Sequence, residues 1–231
     1  MTTLVIVRHG LTAMTGPVLA GWTPGLHLDE RGTNQAEALA ARLAPVPFAA
    51  MVSSPLERCQ DTAAIIVAAG HDGTELITDD RFAECRYGSW TGRSLKDLAK
   101  DPMWKVVQTH PSAAVFPDGE SLAAVQGRAV AGVRDWDRRL TATHGEDAVW
   151  LACSHGDVIK AIVADALGMH LDLFQRITAE PCSVTVIRYT SMRPFVVKLN
   201  DTAGDIASLI PPTRKRRKRK ASSDGAVGGG G

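Results

Sequence analysis

The chain has 231 residues, 45% of them hydrophobic and 22% charged, with a formal net charge of +1. This is an ordinary globular composition, and the length suits one α/β domain with a substantial core or two very small domains. No apolar stretch approaches the roughly 20 residues of a spanning helix, and the N-terminus lacks signal-peptide character, so neither membrane span nor secretion is expected.

The cytoplasm is therefore the expected compartment. Cys59, Cys85, Cys153 and Cys182 are scattered, with no Cys-x-x-Cys pair and no Cys/His ligand spacing, which predicts reduced thiols and no metal site. The small net charge hides an asymmetry. Seven basic residues are consecutive, Arg214–Lys220, while residues 1–213 hold 19 basic against 24 acidic side chains, a net of −5. An anion-binding site in such a body must use local positive groups rather than a global field.

In chain order, residues 4–7 read as a buried strand, and 30–43 as an alanine-rich helix with Ala36, Leu39, Ala40 and Leu43 on one face. Residues 48–53 form a second strand. A helix over 56–69 takes its cap and first-turn signals from Ser53, Ser54 and Pro55 and its stop from Gly70. A short strand covers 75–78. Residues 79–119, rich in Gly, Pro, Trp and charge, read as a long excursion with short helices near 94–100 and 103–109. A helix from about 120 to 142, a strand at 148–153 and a helix at 157–167 follow. Residues 183–189 and 194–199 alternate at period two and predict an antiparallel hairpin. The alternation predicts a three-layer α/β/α sandwich on a mostly parallel sheet. From 211 onward Pro-Pro, the basic run and a glycine end carry no core pattern, which predicts a disordered tail after a domain at 1–210.

The chemistry gathers at strand ends. The first strand runs into Arg8-His9-Gly10-Leu11-Thr12, and a later one into Ser154-His155-Gly156-Asp157. Ser53-Ser54-Pro55-Leu56-Glu57-Arg58 adds an arginine after another strand. Ligands of parallel α/β sheets bind beyond the carboxyl ends of strands, so two histidines and two arginines there suit a phosphoryl group.

These motifs resemble the histidine phosphatase superfamily, the branch containing cofactor-dependent phosphoglycerate mutases and related phosphatases. The resemblance rests on Arg8-His9-Gly10-x-Thr12, Ser53-Ser54-Pro55-x-x-Arg58-x-x-x-Thr62-Ala63, Glu84 and Ser154-His155-Gly156, over about residues 3–200. It implies a phosphoglycerate mutase-like fold in which His9 is the nucleophile and forms a phosphohistidine. It places Arg8 and Arg58 on the phosphoryl oxygens, His155 beside them, and Glu84 as the proton donor and later base. Thr12 and Gly10 shape the phosphate loop. No cofactor is implied. Many relatives carry asparagine where this chain has Thr15, and Gly21-Trp22-Thr23-Pro24 is either a pocket wall or a turn. Trp90, Trp104 and Phe116 are candidates for an apolar cap. Arg81, Arg86, Arg93 and Lys105 read more readily as solvated charges than as substrate contacts.

The leading expectation is a metal-independent phosphatase acting on small phosphorylated metabolites. The competing one is a mutase. Only 35 residues (85–119) separate Glu84 from Glu120, with no Arg-Arg pair, which favours hydrolysis within the family pattern. A third reading is a regulatory protein that binds phosphoesters without turnover. Dimers are common among relatives, so a homodimer stays open. Arg214–Lys220 reads as a solubilising tail or a weak, salt-dependent polyanion contact.

Overall fold

The computed structural model describes residues 1–71 and 73–203; the basic run and the tail expected from 211 lie outside the described residues. The elements are β1 (Thr2–Arg8), α1 (Glu30–Leu43), β2 (Phe48–Ser53), α2 (Glu57–Ala68), β3 (Leu76–Thr78), α3 (Leu95–Leu98) and α4 (Pro102–Thr109). They continue with α5 (Leu122–His144), β4 (Ala148–Ser154), α6 (Gly156–Ala166), β5 (Val184–Arg188) and β6 (Phe195–Asp201). The sheet order is β3-β2-β4-β1-β5-β6. The first four of these pair in parallel, β5 runs antiparallel to β1, and β6 antiparallel to β5. The α/β sandwich and the hairpin expected from the sequence are both present.

Both faces of the central strands are buried, which is why they read as continuous apolar runs rather than alternating ones. Leu4, Ile6, Val52, Trp150 and Ala152 face the core formed with α5 and α6. Val5, Val7, Met51, Leu151 and Cys153 face the opposite core with α1 and α2. Helix α5 buries Leu122, Val125, Ala129, Val133, Trp136 and Leu140, a stripe at helical spacing. Trp136 stacks on Trp150 of β4 with ring centroids 6.0 Å apart. Asp29 caps α1 by accepting from the Gly32 amide at 2.9 Å, a contact of about 1 kcal/mol.

The 79–119 excursion is packed rather than loose. Trp90 and Phe116 are buried with centroids 5.3 Å apart, and Trp104 stacks on Trp90 at 6.2 Å. These aromatics join the main core instead of roofing a pocket. The four basic residues there also stay clear of the cleft described below. Arg81 pairs with Asp79 and Asp135, Arg86 lies 3.7 Å over the Trp22 ring, and Arg93 and Lys105 are exposed.

Candidate active site

Register brings the two histidines together. Arg8 of β1 pairs with Ser154 of β4, and the His9 amide donates to the Ser154 carbonyl at 3.1 Å. The next residues, His9 and His155, therefore leave the sheet side by side, with ring centroids 5.2 Å apart. Strand β2 lies on the other side of β4, and α2 then carries Arg58 across both rings.

Arg58 is the hub. Its Nε donates to His9 Nε2 at 3.3 Å, and its Nη2 donates to His155 Nδ1 at 3.2 Å and to the Gly21 carbonyl at 2.8 Å. Its Nη1 is buried with no protein acceptor. A buried donor without a partner carries a full desolvation cost, so Nη1 is suited to an anion in the cleft.

A guanidinium only donates, so both nitrogens facing it are lone pairs. His9 Nδ1 then carries the ring proton and gives it to the Gly10 carbonyl at 2.8 Å. On His155 the proton sits on Nε2, against Ser54 Oγ at 2.7 Å. Burial and the Arg58 and Arg8 charges hold the His9 pKa well below its ordinary value. Burial, Arg58, His9 and Arg8 do the same for His155. Both rings are thus neutral near pH 7, and His9 Nε2 is an available nucleophile.

Arg8 is 2% exposed, and its Nη1 donates to the Ala179 carbonyl at 2.7 Å. Glu84 is buried with Oε2 3.8 Å from His155 Nδ1, while Oε1 accepts from the Cys85 amide at 3.0 Å. Burial and the Asp157 charge raise its pKa to about 7, against the opposing pull of Arg58. Its backbone is clamped from two sides. Its carbonyl accepts from Trp22 Nε1 at 2.8 Å and from Arg128 Nη2 at 3.1 Å, and Arg128 also binds Glu120. Gly21 lines the cleft, while Trp22 beside it, in the same turn, holds the Glu84 backbone.

The loop after β1 is pressed against α1. A Cβ on Gly10 would lie 2.6 Å from the Gly32 carbonyl oxygen, and one on Gly32 only 2.0 Å from that of Leu11. Gly10 does not present its amide to the cleft, because that amide donates to Thr62 Oγ1 at 3.1 Å. Its carbonyl orients His9 instead. Thr12 is buried and lines the cleft. Where relatives have asparagine, Thr15 Oγ1 accepts from the Thr12 amide and meets Thr12 Oγ1, both at 3.0 Å.

The cleft itself is narrow, about 30 Å³, and Arg8, His9, Thr12, Arg58 and Glu84 are among the residues that line it. Among the described residues, no group of three or more His, Cys, Asp or Glu could hold a metal ion. Likewise no described helix is long and apolar enough to cross a membrane.

Sequence reasoning missed two contributors. Ser54 was read as a helix cap; its hydroxyl does accept the Leu56 amide at 3.3 Å, but its closer partner is His155. Helix α2 instead begins after Leu56 without a side-chain cap. Asp157, fully buried, accepts from Tyr87 Oη at 2.7 Å and lies 3.8 Å from Lys160 Nζ. An acid in a helix's first turn ordinarily reads as a solvated macrodipole partner, so sequence alone gave no sign of its burial.

The model of the histidine phosphatase superfamily (branch 1) matches residues 4–202. The chain is 31% identical over 208 residues to phosphoserine phosphatase 1 of Hydrogenobacter thermophilus, covering 87% of this chain and 93% of that protein. It is 28% identical over 216 residues to the Yersinia pestis protein named "Probable phosphoglycerate mutase GpmB", covering 92% and 97% respectively. A solved mycobacterial glucosyl-3-phosphoglycerate phosphatase, in complex with VO3, aligns with a TM-score of 0.75 and 26% identity, covering 86% of this chain and 98% of that one.

Proposed function

This chain belongs to the histidine phosphatase superfamily, and on that premise we propose that it hydrolyses small phosphomonoesters through a phosphohistidine on His9, without a metal ion. The observation that carries the reading is the Arg58 guanidinium, which touches both imidazoles and keeps Nη1 free of protein acceptors.

In the first step His9 Nε2 attacks phosphorus and the ester P–O bond breaks. Glu84, protonated over much of the neutral range, gives its proton to the departing alkoxide. Arg8 and Arg58 hold the equatorial oxygens, where transferred charge accumulates. The His155 ring offers its Nδ1 edge to the same group. A dianionic phosphoryl group there favours protonation of that nitrogen, which turns it into a further donor. In the second step the Glu84 carboxylate takes a proton from water. The water oxygen attacks phosphorus, the N–P bond breaks, and free His9 and phosphate result. Gly10 and Thr12 act by positioning the ring and the loop.

The test uses p-nitrophenyl phosphate with EDTA and a rapid-quench assay for phosphoenzyme. The wild type is expected to show both turnover and an acid-labile phosphohistidine, and His9→Ala neither. A wild-type protein that isomerises phosphoglycerates faster than it releases phosphate, and needs a bisphosphate primer, would make it a mutase instead; the relatedness to GpmB keeps that reading in play. Tight ester binding with no phosphoenzyme would leave only a binding role.

The domain at 1–210 followed by a disordered tail, the homodimer, the cytoplasmic location and a weak polyanion contact through Arg214–Lys220 remain proposals from sequence.

A further inference from the structure

The positive side chains lining the cleft are Arg8 and Arg58. Beyond Arg8 and Arg58, the described lining residues carry no cationic side chain, His9 being neutral near pH 7. The uncharged part of the lining includes Val18, Leu19, Ala20, Tyr87 and Leu95, with Thr15 among its polar members. The two hydroxyls there are already engaged, Thr15 by Thr12 and Tyr87 by Asp157 at 2.7 Å. The nearest cations in sequence to Leu95, Arg93 and Lys96, are exposed. Glu84 is buried, and the charge of buried Asp157 reaches it.

We propose that the leaving-group side of this cleft takes a compact, uncharged and largely apolar alcohol, so that the substrate bears its negative charge on the phosphoryl group alone. An anion enters a water-poor site only when paired, and a carboxylate placed against this wall would find no partner. It would also sit near Glu84 once that group is ionised. An alkyl chain needs no partner and gains from the aliphatic wall. The inference rests on the phosphatase reading above and narrows it.

The experiment compares propyl phosphate with 3-(phosphonooxy)propanoate, which replaces the terminal methyl by a carboxylate. With the full chain and EDTA, kcat/KM for propyl phosphate is expected to be at least about tenfold higher, equivalent to roughly 1.4 kcal/mol. Equal values, or a preference for the carboxylate ester, overturn the inference. Binding of each ester is measured in parallel by calorimetry with His9→Ala, which cannot form the phosphohistidine. If neither ester is turned over by wild type, the phosphatase reading fails while the binding comparison still decides this one. Tighter binding of propyl phosphate supports it, and equal, weaker or absent binding overturns it.

Discussion

Strands β1 and β4 end in nearly the same residues, Arg8-His9-Gly10 and Ser154-His155-Gly156, yet their imidazoles are set in opposite senses. His9 anchors Nδ1 on the carbonyl of the glycine that follows it and turns Nε2 toward Arg58. His155 anchors Nε2 on Ser54, from a segment 101 residues away, and turns Nδ1 toward the same guanidinium. A ring held by its own loop keeps its geometry as the loop folds. A ring held by a distant hydroxyl depends on the packing of β2 against β4. The comparison teaches that a His-Gly at a strand end fixes where an imidazole sits, while its hydrogen-bond anchor fixes which nitrogen can react.

Removing each ring should separate the two roles. His9→Ala is expected to abolish turnover, by at least about 10⁴-fold in kcat, because no other group can take the phosphoryl; rapid quench would find no phosphoenzyme. His155→Ala should cost on the order of 10²–10³-fold, like the loss of one donor to developing charge, with phosphoenzyme still forming slowly. Equal losses in the two variants would mean that the opposite settings of the rings have no bearing on catalysis.

Glu84, with Oε2 3.8 Å from His155 Nδ1, is expected to show its role through the leaving group. Glu84→Gln should reduce kcat on alkyl phosphates by about 10²–10³-fold and affect p-nitrophenyl phosphate far less, since that alcohol leaves without a proton. Wild-type kcat/KM on alkyl esters should fall as pH rises through about 7, where Glu84 ionises. It should hold below pH 6.5, because the His9 pKa lies well under that value. The same shift has a stability consequence with a definite sign. Glu84 ionises near 4.5 when unfolded and near 7 when folded, so its ionisation destabilises the fold increasingly between those values. Glu84→Gln should therefore raise Tm at pH 8 and change it little at pH 4.

The smallest effect should come from the distant anchor. Ser54→Ala removes the nearer acceptor of His155 Nε2, leaving Cys59 Sγ at 3.4 Å, and should lower kcat about tenfold, roughly 1.4 kcal/mol. KM should move less and His9 phosphorylation should persist. A loss as large as that of His155→Ala would mean that ring orientation is the whole of the His155 contribution.

Much of this was legible beforehand. The apolar runs ending in Arg-His-Gly and Ser-His-Gly marked β1 and β4, and the alanine-rich stripe over 30–43 marked α1, because period and turn residues are local properties. The excursion at 79–119 was harder. Its Trp90 and Phe116 looked available for a cap, but they pack against Tyr87 and the main core, a choice made by partners far along the chain. Gly10 read as shaping the phosphate loop, and nothing local indicated that its N–H would go to Thr62, 52 residues on. Asp157 and Ser54 carried ordinary local meanings, a first-turn acid and a cap, which tertiary contacts replaced.

The sequence by itself determined which chemical groups stand at strand ends, and with them the class of chemistry open to the chain. Hydrophobic period, turn glycines and residue type are written locally and need no partner to be read. Only the tertiary structure decided that Arg58 spans both rings, that each histidine turns a different nitrogen to it, and that burial, with the Asp157 charge, lifts Glu84 to about 7. Those outcomes depend on distance, burial and donor–acceptor pairing between segments brought together by sheet register, and none of these is encoded in any one stretch of chain.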